Sequence, residues 1–161
     1  MTYTIAVAGK GGTGKTTISA LVIDYLTRNK KGLVLAIDAD PSTNLNLALG
    51  VPLDDTVGDV REETATAVGG SGALGGMSKW DYLDYRINDA LVEETSFDLL
   101  AMGRPEGPGC YCAANNILRT SVDRLSDAYD YVVIDNEAGL EHLSRRTTQD
   151  VDLLLLVSDP S

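Results

Sequence analysis

Both cysteines of this chain, Cys110 and Cys112, stand one residue apart in "GPGCYC" at 107–112. A disulfide between them would close a very small ring whose Cα separation suits disulfide geometry poorly. Residues i and i+2 point apart on a helix or a strand, so the thiols converge only in a turn. Gly107, Pro108 and Gly109 supply one, and a helix starting just after Cys112 would stabilise thiolates. Two soft ligands are half of what a tetrahedral or square-planar metal takes, and a twofold dimer would bring four together on its axis. Ni²⁺ or Zn²⁺ suits such a site, and Cu⁺ satisfies the same ligand chemistry. An iron–sulfur cluster shared by two subunits is a competing use, and an inert pair in a packed turn is the plain alternative.

A second constellation lies at the other end of the chain. "GKGGTGKT" (9–16) satisfies G-x-x-x-x-G-K-[ST] between an apolar run and a helical pattern, the context that a phosphate-binding loop needs. Gly9, Gly11, Gly12 and Gly14 let the backbone curl so that successive N–H groups, with those around Thr13 and Thr17, face a phosphate. A helix beginning near Thr16 adds its positive dipole end. Lys15 would reach the β- and γ-phosphates, and the Thr16 hydroxyl would enter the Mg²⁺ shell. Asp135 closes an apolar run, where an acid holds Mg²⁺ through water; Asp38 and Asp40 close another in "IDADPS", and Asp38 is expected with Thr16 and Asp135 in the Mg²⁺ site. For the latter two, turn and capping chemistry ahead of a short helix at 42–49 is the competing reading. Lys10 is a second lysine in the loop, where one already serves the phosphates, and it could point outward to a neighbouring subunit. No Asn-Lys-x-Asp segment for reading guanine is present.

These residues need elements to hold them. "YTIAVAG" (3–9) reads as a buried strand, and "LVLAID" (33–38), "FDLLAMG" (97–103), "YVVID" (131–135) and "VDLLLLVSD" (151–159) are four more candidate strands. Ile18, Leu21, Val22, Tyr25 and Leu26 follow helical spacing, as do Leu118, Val122 and Leu125, and Leu140 with Leu143. Apolar strands alternating with amphipathic helices predict an α/β fold, a mainly parallel sheet with helices on both faces. Between 54 and 96 the pattern weakens. "GGSGALGGM" (69–77) reads as a mobile loop, and Trp80, Leu83, Ile87 and Leu91 as the core face of a helix. One domain is expected for 161 residues. The last strand run is followed only by "SDPS", where such sheets normally continue, so the natural protein is expected to be longer.

The net charge of −11 disfavours a broad nucleic-acid or anionic-membrane face. No apolar run approaches the ~18 residues of a membrane span, and the start lacks signal-peptide features, so a cytoplasmic location is expected. There thiols stay reduced, which favours a metal or redox role for the cysteine pair.

"KGGTGKTT" resembles the deviant Walker A motif of the MinD/ParA and nitrogenase-iron-protein class of dimeric ATPases. The resemblance implies that Lys10 reaches across a dimer to the partner's nucleotide, that Asp40 orients the attacking water, and that Asp135 belongs to Walker B. It also implies a second switch that brings Asn136, Glu137, Ala138 and Gly139 near the γ-phosphate. Within the class, "GRPEGPGCYC" with "DNEAGLEHLSRRT" is similar to the CooC-type nickel-insertion ATPases of carbon monoxide dehydrogenase. That implies an ATP-dependent homodimer with Mg²⁺ and ATP or ADP, Ni²⁺ at Cys110 and Cys112 (Zn²⁺ possible in its place), and a carbon monoxide dehydrogenase-type client. His142, the single histidine, stays outside this site. The rivals are a positioning or partitioning ATPase and a metal-storage or redox module that binds nucleotide passively.

Overall fold

A computed structural model describes residues 1–69, 76–104, 111–137 and 151–159. Strands β1 (Tyr3–Gly9), β2 (Val34–Asp38), β3 (Val92–Glu93), β4 (Phe97–Ala101), β5 (Tyr131–Asp135) and β6 (Leu153–Val157) form one sheet in the order β3-β4-β2-β5-β1-β6. All neighbours pair in parallel except β3 with β4. The helices are α1 (Lys15–Arg28), α2 (Leu45–Leu49), α3 (Val57–Gly69), α4 (Lys79–Asp89) and α5 (Tyr111–Leu125).

Strand alternation sorts the apolar side chains into two cores. Leu35 and Ile37 of β2, Leu100 of β4 and Val132 and Ile134 of β5 face α3, α4 and α5. Val34 and Ala36, Leu99 and Val133 face α1 and α2 instead. Strands buried on both faces are what a parallel sheet covered by helices requires, so the α/β expectation holds.

Several local expectations are corrected. The inward face of α1 is Lys15, Ser19, Ile23 and Leu26, while Leu21 and Tyr25 are exposed. Leu83 and Ile87 of α4 are buried as expected, whereas Trp80 is 63% exposed and Leu91 packs at the margin of the core. Helix α2 starts at Leu45 rather than at 42, and α5 starts before Cys112 rather than after it. Helix α3 and the two-residue β3 had no expectation attached to them. The 69–77 loop falls largely outside the described residues, as do Leu140 and Leu143. No helix among the described residues is long and apolar enough to cross a membrane.

The amino edge of the sheet is tied together by Asp130. Its carboxylate accepts the Leu33 N–H at 2.8 Å, its own N–H bonds the Leu33 carbonyl, and its carbonyl accepts the Tyr3 N–H. The carboxyl edge, where β1, β2, β4 and β5 end together, carries the candidate chemistry.

Candidate functional site

Alternation along β2 and β5 places Asp38 in phase with Val34 and Ala36, and Asp135 in phase with Val133, so both acids lie on the α1 side. They are register partners on adjacent strands, and Val7 of β1 lies opposite Asp135 on its other side. β1 then runs into Gly9 and the loop that ends at the start of α1.

Glycine is required at two kinds of position here. A Cβ on Gly9 (φ +153°) would stand 2.1 Å from the Val157 carbonyl oxygen of β6. Gly12 (φ +80°) and Gly14 (φ +91°) adopt the left-handed conformation, and a Cβ there would meet open space within 4 Å. The loop is thus a concave backbone surface free of side-chain bulk at two points, which fits a polyphosphate.

The two lysines of the loop are used differently. The Lys10 carbonyl accepts the Thr13 N–H at 3.4 Å, the Thr13 hydroxyl at 2.8 Å and the Lys15 Nζ at 3.2 Å. Lys15 is accordingly buried, whereas Lys10 is exposed, and its ammonium has no partner among the described residues.

Beneath the loop, the Ser19 hydroxyl donates to Asp135 Oδ1 at 3.0 Å. The Thr16 hydroxyl also donates to Asp135, and the Lys15 charge acts on it. Burial nevertheless raises the Asp135 pKa above the usual carboxylate range, because desolvation outweighs those donors. Hydroxyl and carboxylate oxygens side by side form a hard donor set that fits Mg²⁺. Asp40 is half-buried, with its Oδ1 accepting the Ser42 N–H at 2.8 Å, and its charge acts on both Asp38 and Asp135. The three acids therefore converge.

Asp38 is buried, and burial lifts its carboxyl to about 6, against the backbone N–H groups of Leu45 and Asp40, which hold it down. Because the folded-state pKa lies above the unfolded value of 3.8, the folded chain binds the extra proton between those limits. The associated stability is fully present below about pH 4 and is lost as pH rises through about 6. In protein free of metal and nucleotide, this term is worth about 3 kcal/mol, and Asp135 acts in the same direction. Urea midpoints measured from pH 4 to 7 should fall, and Asp38→Asn should flatten the fall.

One buried participant, Ser19, escaped the sequence reading of the site; its signal was the spacing of four from Lys15, which puts both on one helical face. Asn136 lies where the second switch is expected, but its amide donates to the Val7 carbonyl at 3.0 Å, bracing β5 against β1. Cys112 is the second residue of α5; Cys110 and Gly139 lie outside the described residues, as does His142. No cluster of three potential metal-binding residues occurs among the described side chains.

The sequence pattern of the AAA domain family matches residues 2–161. Over 157 residues the chain is 53% identical to a Methanocaldococcus jannaschii protein known as an uncharacterized ATP-binding protein. The septum site-determining protein MinD from Pyrococcus horikoshii, complexed with Mg-ADP, superposes over 100% of this chain and 59% of its own, with a TM-score of 0.66 at 27% identity. This chain belongs to the MinD/ParA family of P-loop ATPases. The chain is also 36% identical, over 165 residues, to the carbon monoxide dehydrogenase accessory protein CooC of Rhodospirillum rubrum. These alignments cover 98% and 97% of this chain, but 62% of the length of each curated relative.

Proposed function

We propose that the protein hydrolyses ATP to ADP and phosphate in a Mg²⁺-dependent cycle that controls dimerisation. We further propose that the dimer carries nickel between two Cys110/Cys112 pairs for insertion into a carbon monoxide dehydrogenase-type enzyme. The observation that carries the ATPase part is the division between the two loop lysines. Lys15 is turned into the cradle, while Lys10 is held by its carbonyl and leaves its ammonium outside. A cation so placed suits the phosphates of a second subunit. Mg²⁺ held by Thr16 and, through water, by Asp135 would neutralise phosphate charge. Lys15 draws the β- and γ-phosphates into the loop, Gly9 to Thr17 line it, and Asp40 orients the attacking water. Gly139 approaches the γ-phosphate from the second switch.

The nickel part rests on two supports. One is the sequence likeness to a protein named as a carbon monoxide dehydrogenase accessory protein. The other is the position of Cys112 in the first turn of α5, the helix that follows β4 in the chain. A helix joining two parallel strands begins at their carboxyl edge, the edge that also carries the nucleotide site. Cross-interface contacts to a γ-phosphate favour the closed dimer and vanish on hydrolysis, so nucleotide state gates metal release.

Native mass spectrometry of the reduced protein with Ni²⁺ tests this. One nickel per two chains is expected with a non-hydrolysable ATP analogue, fewer with ADP, and none after Cys112→Ala. Nickel binding that ignores nucleotide would remove the coupling and favour passive storage. Absence of nickel in every state would remove the carrier role. Salt-sensitive binding to DNA or to anionic vesicles would favour a positioning ATPase instead, against the −11 net charge.

A further inference from the structure

Asp38 ends β2 beside Asp135, and position alone makes it a candidate magnesium ligand. Its hydrogen bonds say otherwise. Oδ1 accepts the N–H of Asp40 at 3.0 Å, and Oδ2 accepts the N–H groups of both Asn44 and Leu45 at 2.9 Å. An ionised carboxylate has about four acceptor positions, and three of these are occupied by backbone donors. Those donors also bring positive partial charge to both oxygens, which opposes a nearby cation. Asp135 differs, since its partners are hydroxyls that can themselves share a metal.

The three N–H groups belong to the two ends of one short loop. Asn44 caps α2 by position, yet its side chain makes no capping bond, and Asp38 supplies the missing acceptor from the neighbouring strand. Between the clamped ends run Asp40, Pro41, Ser42 and Thr43. The loop is drawn tight enough that Thr43, a β-branched residue, sits at φ +42°, a conformation that costs on the order of 1–3 kcal/mol. The Thr43 N–H closes a turn onto the Asp40 carbonyl at 3.1 Å.

We propose that Asp38 is a positioning residue rather than a magnesium ligand. It clamps the 40–44 loop at both ends and so fixes the backbone from which Asp40 reaches the attacking water. This rests on the ATPase reading above, in which Asp40 orients that water. Magnesium then falls to Thr16 and Asp135.

Asp38→Asn and Asp135→Asn separate the two roles. Asparagine keeps one oxygen, so the clamp loses acceptors while volume is conserved. For Asp38→Asn, kcat should fall about tenfold or more, with the half-saturating Mg²⁺ concentration for fluorescent ADP binding shifted less than about twofold. For Asp135→Asn the half-saturating Mg²⁺ concentration should rise about tenfold. A matching rise in Asp38→Asn would make Asp38 a ligand and overturn the proposal, as would an unchanged kcat. Should Asp38→Asn fail to fold, hydrogen exchange in the wild-type protein decides. The amides of Asp40, Asn44 and Leu45 should stay protected when Mg-ADP is added; their exposure would show Asp38 turning to the metal. Failure of wild-type protein to bind Mg-ADP would instead remove the ATPase reading itself, an outcome separate from either role of Asp38.

Discussion

Lys10→Gln is expected to lower kcat for ATP hydrolysis by about 10²–10³-fold while the Kd for Mg-ADP moves less than about threefold. The Lys10 carbonyl, which glutamine retains, gathers Thr13 and Lys15 and so shapes the loop. The ammonium takes no part in that arrangement. Removing it therefore leaves the cradle and, on the proposed function, subtracts only a charge placed for the γ-phosphate of a second subunit. A cation supplied across an interface stabilises charge that develops in the transition state, which places its effect in kcat. Lys15→Ala should behave in the opposite way, because the buried cation serves the ground-state nucleotide and its loss removes binding. Steady-state kinetics with fluorescent ADP titrations on both variants reads the difference. Equal loss of binding in the two would show that Lys10 works within its own loop.

Gly9→Ala should destabilise the protein by about 3 kcal/mol or more, a loss of roughly 10 °C in Tm. The added Cβ would stand 2.1 Å from the Val157 carbonyl oxygen, a backbone atom that cannot swing away as a side chain would. Relief requires β6 to shift along β1, with which it is paired from Ile5 to Gly9. Gly12→Ala is the control, since its Cβ meets nothing within 4 Å and bears only the cost of φ +80°, about 1 kcal/mol. Thermal melts of the two variants should therefore separate by several degrees.

Strands β1, β2, β4 and β5 were legible because burial on both faces leaves each as a largely apolar run, and β1 and β5 have the expected limits. Strand β6 is as apolar, yet Leu153, Leu154 and Leu156 are exposed. The phosphate loop was legible because its glycines and lysine have no other use together. The phase of α1 was not. Apolar spacing pointed to Leu21 and Tyr25, but the loop fixes Lys15 inward, and Ser19, Ile23 and Leu26 then follow at intervals of four, four and three. A polar residue at the inward position hides that face from any hydrophobic pattern. Helix α3 escaped for a related reason: its buried stripe of Val57, Val60 and Thr64 includes only two apolar side chains. Asp38 was legible as a site residue, but the backbone donors that occupy its oxygens, on which its proposed positioning role rests, carry no signature in side-chain types.

The sheet order has a consequence for how the protein is made. β1 and β2 leave the ribosome before β5, yet they never touch; β5 lies between them. Roughly 120 residues separate Gly9 from Tyr131, which at about 5–20 residues per second is a wait on the order of ten seconds. Through that interval the strand leading into the phosphate loop is an apolar segment with both edges open. The cradle needs Asp135 behind Thr16 and Ser19, so a motif translated well before its partner strand takes shape only after it.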